Sequence, residues 1–194
     1  YGHGIRHVYE ALRAADGFAV LDLDEAALLR ELGWRGPILL IEGVFDARDL
    51  ELCSRLNLWH VVHTQEQIDM LAAHKTHTPQ RVFLKLNSGM NRLGFEPAAF
   101  RGAYARLAAL PQVDEITLMT HFSDAVGPRL GRDGIDHQLA VFAAATQDLA
   151  GEKTLANSAA ILRYAEQSGL QVAQDWVRAG IALYGSAPDY PQHA

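Results

Sequence analysis

The chain has 194 residues, 49% of them apolar, and a formal net charge of −6, which suits one substantial core and a single domain. Its 17 basic residues are scattered among 23 acidic ones, so no basic stripe exists for a nucleic acid backbone. The longest apolar run, residues 139–145, falls far short of the roughly 20 residues of a membrane span, and the single cysteine, Cys53, forbids an internal disulfide.

With no apolar leader behind a basic start, a reducing cytoplasm is the expected setting. The chain opens on Tyr1-Gly2-His3-Gly4, a glycine-flanked turn that reads as the middle of something longer. Ile5, Val8, Ala11 and Leu12 then recur at helical spacing and predict a helix over residues 5–15, closed by Asp16-Gly17. A strand over 18–21 ends at Asp22; Asp24 caps a helix over 25–32 that stops at Gly33. The unit repeats as a strand over 37–41 ending at Glu42, with Asp46 capping a helix to about residue 56. A strand over 58–62 ends at His63, and Thr64 with Gln67 forms a capping box for a helix reaching about residue 74.

Residues 82–87 alternate with a strand's period, Lys85 and Asn87 leaving one face and Val82, Leu84 and Leu86 the other. Ser88 and Gly89 break the strand, and Asn91 and Arg92 follow on the loop at its end. Lys85 and Arg92 are thereby aimed at one region. Two cations brought together out of water require an anion between them, unless the lysine simply snorkels to solvent beside a surface arginine.

A helix over 97–110 starts with Pro97 in its first turn. The strand predicted over 115–121 leads into a long polar loop over 122–132, a length that usually carries function. A helix over 134–149, a short strand over 154–157, a helix over 159–167 and a last strand over 176–184 complete the chain.

Strands and helices thus alternate seven times, as βα units of a parallel sheet do. Asp22, Glu42, His63, Asn87, His121, Asn157 and Arg178 stand at or near seven different strand ends. An open doubly wound sheet gathers its site at one switch point, whereas a ring of polar groups on one rim indicates a barrel. The expected fold is therefore an α/β, (β/α)8 TIM-type barrel lacking its first strand, occupying residues 1–194 as one domain, with Asp22 and Arg178 on the strands that flank the gap.

Five segments stand in fixed order: Tyr1-Gly2-His3-Gly4; residues 84–95, LKLNSGMNRLGF; Met119-Thr120-His121-Phe122; Ala156-Asn157-Ser158-Ala159-Ala160; and residues 178–185, RAGIALYG. Together they resemble the alanine racemases, fold-type III pyridoxal-phosphate enzymes with an N-terminal barrel. The resemblance implies interconversion of L- and D-alanine for cell-wall supply, in a cytoplasmic homodimer with no metal. It implies that Tyr1 touches the cofactor's phosphate and that a lysine four residues earlier holds the cofactor as a Schiff base. Arg92 would bond the cofactor's phenolic oxygen, and Lys85, carbamylated, would brace that arginine. His121 would pack on the pyridine ring; Ser158 and the backbone of Gly180 and Ile181 would bind the phosphate; Asn157 would also contact the cofactor; and Arg178 would face the ring nitrogen.

Each residue has a plainer reading. Asn157 and Ser158 precede a helix, where caps are ordinary, Gly180 could simply end a strand, and His121 could be a satisfied structural histidine. Asn87-Ser88 replaces the family's usual Asp-Thr, and the residues SDAV at 123–126 lack an acidic residue that often follows the alanine. The resemblance also implies a C-terminal β domain that donates a second base, a tyrosine, across the dimer. None of the three lysines, Lys75, Lys85 and Lys153, stands where the family's cofactor lysine would, so the chain alone is expected to be inactive. Two further readings stay open. One is a single-domain pyridoxal-phosphate homeostasis protein, although its serine-methionine-glycine-methionine-serine loop is absent; the other is a non-catalytic barrel piece.

Overall fold

A computed structural model of the chain describes residues 2–75, 78–125, 134–164 and 172–188. Among these, the elements run α1 (Ile5–Ala11), β1 (Phe18–Val20), α2 (Leu23–Glu31), β2 (Ile38–Leu40), α3 (Asp49–Arg55), β3 (Trp59–Val62) and α4 (Gln65–Ala73). They continue as β4 (Gln80–Lys85), α5 (Pro97–Ala108), β5 (Val113–Met119), α6 (Asp136–Thr146), β6 (Lys153–Thr154), α7 (Ser158–Tyr164) and a 3-10 helix, Ile181–Tyr184. The strands form one sheet in the order β1-β2-β3-β4-β5-β6. Registered pairs are parallel where β1 meets β2, β2 meets β3, and β5 meets β6. An order that climbs without reversal is that of barrel staves, since a doubly wound sheet must reverse once. No helix among the described residues is long and apolar enough to cross a membrane.

The chain's contacts divide it into two compact units, Tyr1–Phe83 with Ala105–Ile116, and Leu84–Tyr104 with Thr117–Ala194. In the first, β2 is buried at every residue, and Leu29, Leu50, Ile68 and Leu71 are fully enclosed. Continuous burial is what a strand covered on both faces requires. Arg30 fastens helix ends together: its guanidinium donates to the carbonyls of Leu56 at 2.8 Å, Asn57 at 2.9 Å and Gly36 at 2.8 Å, satisfying acceptors that helix termini leave open. Trp59 stacks on Phe83 with centroids 5.8 Å apart, and Arg81 lies 4.2 Å over the Trp59 ring.

The capping box of α4 forms as expected, Gln67 N donating to Thr64 Oγ1 while the Gln67 side chain reaches back. That side chain does more: its Oε1 accepts from His63 N at 2.7 Å and its Nε2 donates to Val44 O at 3.1 Å. Gly43 permits this close approach. Its φ is 76°, and a Cβ there would stand 2.0 Å from Val61 O.

Two caps differ from expectation. Asp22, extended at φ −132°, accepts from Glu25 N at 2.8 Å and is the cap of α2, because Asp24 already lies in the first turn. Asp46 folds a turn ahead of α3 by accepting from Arg48 N at 2.9 Å, and Arg48 holds the N-cap position with its guanidinium on the Asp46 carboxylate rather than on the helix's amides.

In the second unit Leu84, Leu86, Phe100, Leu118, Met119 and Phe122 are enclosed. The strand expected over 176–184 does not form. Trp176 makes an isolated parallel bridge to Thr154, Arg178 N donates to Ala156 O at 2.9 Å, and the chain then turns at Gly180 into the 3-10 helix. Ladder pairing fails there because Gly180 takes φ −127° and ψ −100°, outside the extended region. The end of the predicted helix over 159–167 lies outside the described residues.

Candidate active site

The loop after β4 is closed by the backbone. Asn87 N donates to Phe95 O at 2.9 Å and Phe95 N to Lys85 O at 2.8 Å, so residues 88–94 are returned to the strand end they left. Gly94 makes the return possible: at φ 131°, a Cβ would stand 2.6 Å from Asn87 N. Asn87 shapes the interior of the loop, its Oδ1 accepting from Gly89 N at 3.2 Å and Asn91 N at 3.0 Å. Lys85 is 4% exposed, while Arg92 sits on the exposed part of the loop.

His121 follows β5, and its imidazole gathers the site's charge. Its pKa is pushed down to about 3, first by burial and then by Arg178, Arg92 and Lys85. The ring is thus neutral, and the positive charges of Arg178, Arg92 and Lys85 all act against its protonation. Asn157 Nδ2 donates to Phe122 O at 3.1 Å and lies 3.5 Å from His121 Nε2, which makes Nε2 the acceptor and leaves the ring proton on Nδ1. Asn157 Oδ1 also accepts from Ala160 N at 3.0 Å, so the same side chain caps α7.

Ser158 is 5% exposed, and its Oγ accepts from Gly180 N at 2.8 Å and Ala182 N at 3.3 Å. Ile181 lies between those two amides at the start of the 3-10 helix. Arg178 is half-buried as a residue, but its Nε and Nη1 are buried and have no partner among the described residues, while Nη2 donates to Thr120 O and Leu155 O. Burial draws its pKa down to about 10, leaving it a cation at neutral pH. A buried donor pair without an acceptor is costly and points to a ligand.

Sequence reasoning missed Thr120 here. Thr120 is fully enclosed; its Oγ1 donates to Leu86 O at 3.0 Å and receives Ser88 Oγ at 2.7 Å, tying the ends of β4 and β5 together. The hint was present in the motif itself, a hydroxyl beside His121 at a strand's end. Of the polar strand ends in the first unit, Asp22 caps α2 and His63 bonds Glu42 O at 3.0 Å, so both serve the fold. Tyr1 lies outside the described residues.

The sequence matches the model of the family described as alanine racemase, N-terminal domain, over residues 1–188. The chain belongs to the alanine racemase N-terminal domain family. It is 70% identical over its whole length to an alanine racemase of Variovorax paradoxus, covering 50% of that protein, and 68% identical to one of Leptothrix cholodnii, covering 51%. Among solved structures it resembles the biosynthetic alanine racemase of Pseudomonas aeruginosa, with a TM-score of 0.89 and 42% identity, over 98% of this chain and 52% of that one. The likeness to that racemase carries the α/β barrel assignment, six parallel staves with their helices. The chain spans about half the length of the relatives it matches.

Proposed function

We propose that this chain is the barrel part of an alanine racemase, and that Lys85, Arg92, His121, Asn157, Ser158, Arg178, Gly180 and Ile181 form its pyridoxal-phosphate site. The observation that carries the proposal is the pair of buried nitrogens on Arg178 that have no partner among the described residues. A phosphorylated aromatic base fits this set: it offers a ring acceptor to Arg178, an anion to the donors near Ser158, and a phenolic oxygen to Arg92. Pyridoxal phosphate, when bound, supplies the electron sink that lets an amino acid's α-proton leave.

The chain's own residues hold and tune that group. The phosphate would be received by Ile181 N, the Ser158 hydroxyl and Gly180 N, the last exchanging the Ser158 Oγ it donates to here for a phosphate oxygen, and His121, neutral at working pH, would pack on the ring without adding charge. Arg178 presents a permanent cation to the ring nitrogen and disfavours its protonation, which favours a brief proton exchange over other reactions. Lys85 is carbamylated: its neutral amine forms a bond to the carbon of carbon dioxide and releases one proton to water. The product anion pairs with Arg92, as two converging cations require.

Covalent attachment of the cofactor and both acid-base groups lie beyond this chain's lysines, and the second base comes from a partner subunit in a homodimer. The test is to load the full-length protein with pyridoxal phosphate and follow D-alanine formed from L-alanine with a D-amino acid oxidase. Turnover that tracks cofactor loading supports the reading; a loaded protein that leaves alanine unchanged and acts on another amino acid overturns its substrate.

A further inference from the structure

Among the described residues, the one backbone ladder bond of residues 120–123 after β5 is that of Thr120 N, which donates to Thr154 O at 3.2 Å. Side chains hold the rest of the segment. Arg178 binds Thr120 O and Asn157 binds Phe122 O. A third clamp comes from α6, where Gln138, 5% exposed, accepts from Ser123 N at 3.0 Å and donates to Ser123 O at 2.9 Å.

This two-way pairing imitates a strand partner, using one amide side chain in place of a peptide. The same side chain lies close beside the β4 loop, leaving little room for a side chain at Gly89, where a Cβ would stand 3.2 Å from Gln138 Cγ. One buried glutamine therefore bears on the loop that carries Arg92 and on the segment that carries His121.

We propose that Gln138 is a positioning residue that fixes the segment 120–123, and through it the His121 ring, against the cofactor site. Its effect on turnover rests on the racemase reading above; its effect on the segment does not. Gln138→Met keeps the bulk beside Gly89 and removes both bonds. Gln138→Glu keeps the acceptor for Ser123 N but sets a carboxylate oxygen against Ser123 O.

Both variants are made in the full-length protein, and their melting temperatures are recorded so that rates refer to folded enzyme. Hydrogen exchange is measured first without cofactor. The Ser123 amide is expected to exchange about tenfold faster in Gln138→Met and to stay protected in Gln138→Glu. In the loaded enzyme, both variants are expected to lose about 10- to 100-fold in kcat with KM nearly unchanged, because a ring displaced by a fraction of an ångström harms the reacting geometry more than substrate capture. Unchanged Ser123 exchange in Gln138→Met, or a wild-type kcat in both folded variants, overturns the proposal. Faster exchange in a protein whose wild type does not racemise alanine supports the clamp and removes the racemase reading.

Discussion

Gly180 N donates to Ser158 Oγ at 2.8 Å, joining the start of α7 to the turn before the 3-10 helix. With Ala182 N at 3.3 Å on the same oxygen, two backbone donors are gathered where an anion would bind. Ser158→Ala removes the hydroxyl that organises them. Affinity for pyridoxal phosphate should fall about 10- to 100-fold, the worth of one bond to a charged group, as read from an absorbance titration. Equal affinity in the variant and the wild type would take Ser158 out of the phosphate site.

Gly94→Ala should damage the loop that presents Arg92. At φ 131°, with Asn87 N and Leu86 C at 2.6 and 2.7 Å from the added Cβ, the backbone has to move. The expected loss is about 2 kcal/mol or more in urea unfolding, together with weaker cofactor binding. A variant as stable as the wild type would show that the loop closure is not needed.

Acid should weaken the first unit through His60. Its Nε2 donates to Gln80 Oε1 at 2.7 Å, its Nδ1 is buried with no partner among the described residues, and burial pushes its pKa from 6.5 down to about 4. Between those values the unfolded chain binds a proton that the folded chain refuses. Stability from this group is complete above about pH 6.5 and is lost as the pH falls towards 4, by about 3 kcal/mol. His60→Gln should flatten that part of the profile relative to the wild type; an identical slope in both proteins would place the acid sensitivity elsewhere.

The chain by itself should not racemise alanine. Lys75 follows the end of α4, Lys153 opens β6, and Lys85 is 4% exposed at the end of β4. None stands as the cofactor's covalent anchor, and a reaction that depends on one amine is lost by orders of magnitude without it. Incubation with pyridoxal phosphate, borohydride reduction and peptide mapping should find no lysine labelled in stoichiometric amount. Specific labelling of one of the three, with D-alanine formed, would reassign the anchor.

What the sequence reveals depends on how local each feature is. The Thr64-Gln67 box is written in adjacent residues, and the alternation around Lys85 announces both the strand and its cation. Asp22 and Asp24 compete in the sequence for one cap, and only the extended backbone angle of Asp22 decides between them. Residues 181–183, apolar and β-prone in part, read as strand; they coil because Gly180 N and Ala182 N turn towards Ser158, more than twenty positions earlier. The pairing of Gln138 with Ser123 is equally remote from any periodicity, since it joins α6 to a loop 15 residues before it.

The most direct measurement is a high-resolution crystal structure of the full-length protein grown with pyridoxal phosphate and bicarbonate. The predicted result is phosphate against Ser158 Oγ and the amides of Gly180 and Ile181, the ring nitrogen facing the free nitrogens of Arg178, and a carboxyl group on Lys85 Nζ turned to Arg92. A cofactor seated away from Arg178 and Ser158, or Lys85 density ending at Nζ at full occupancy, would contradict the account.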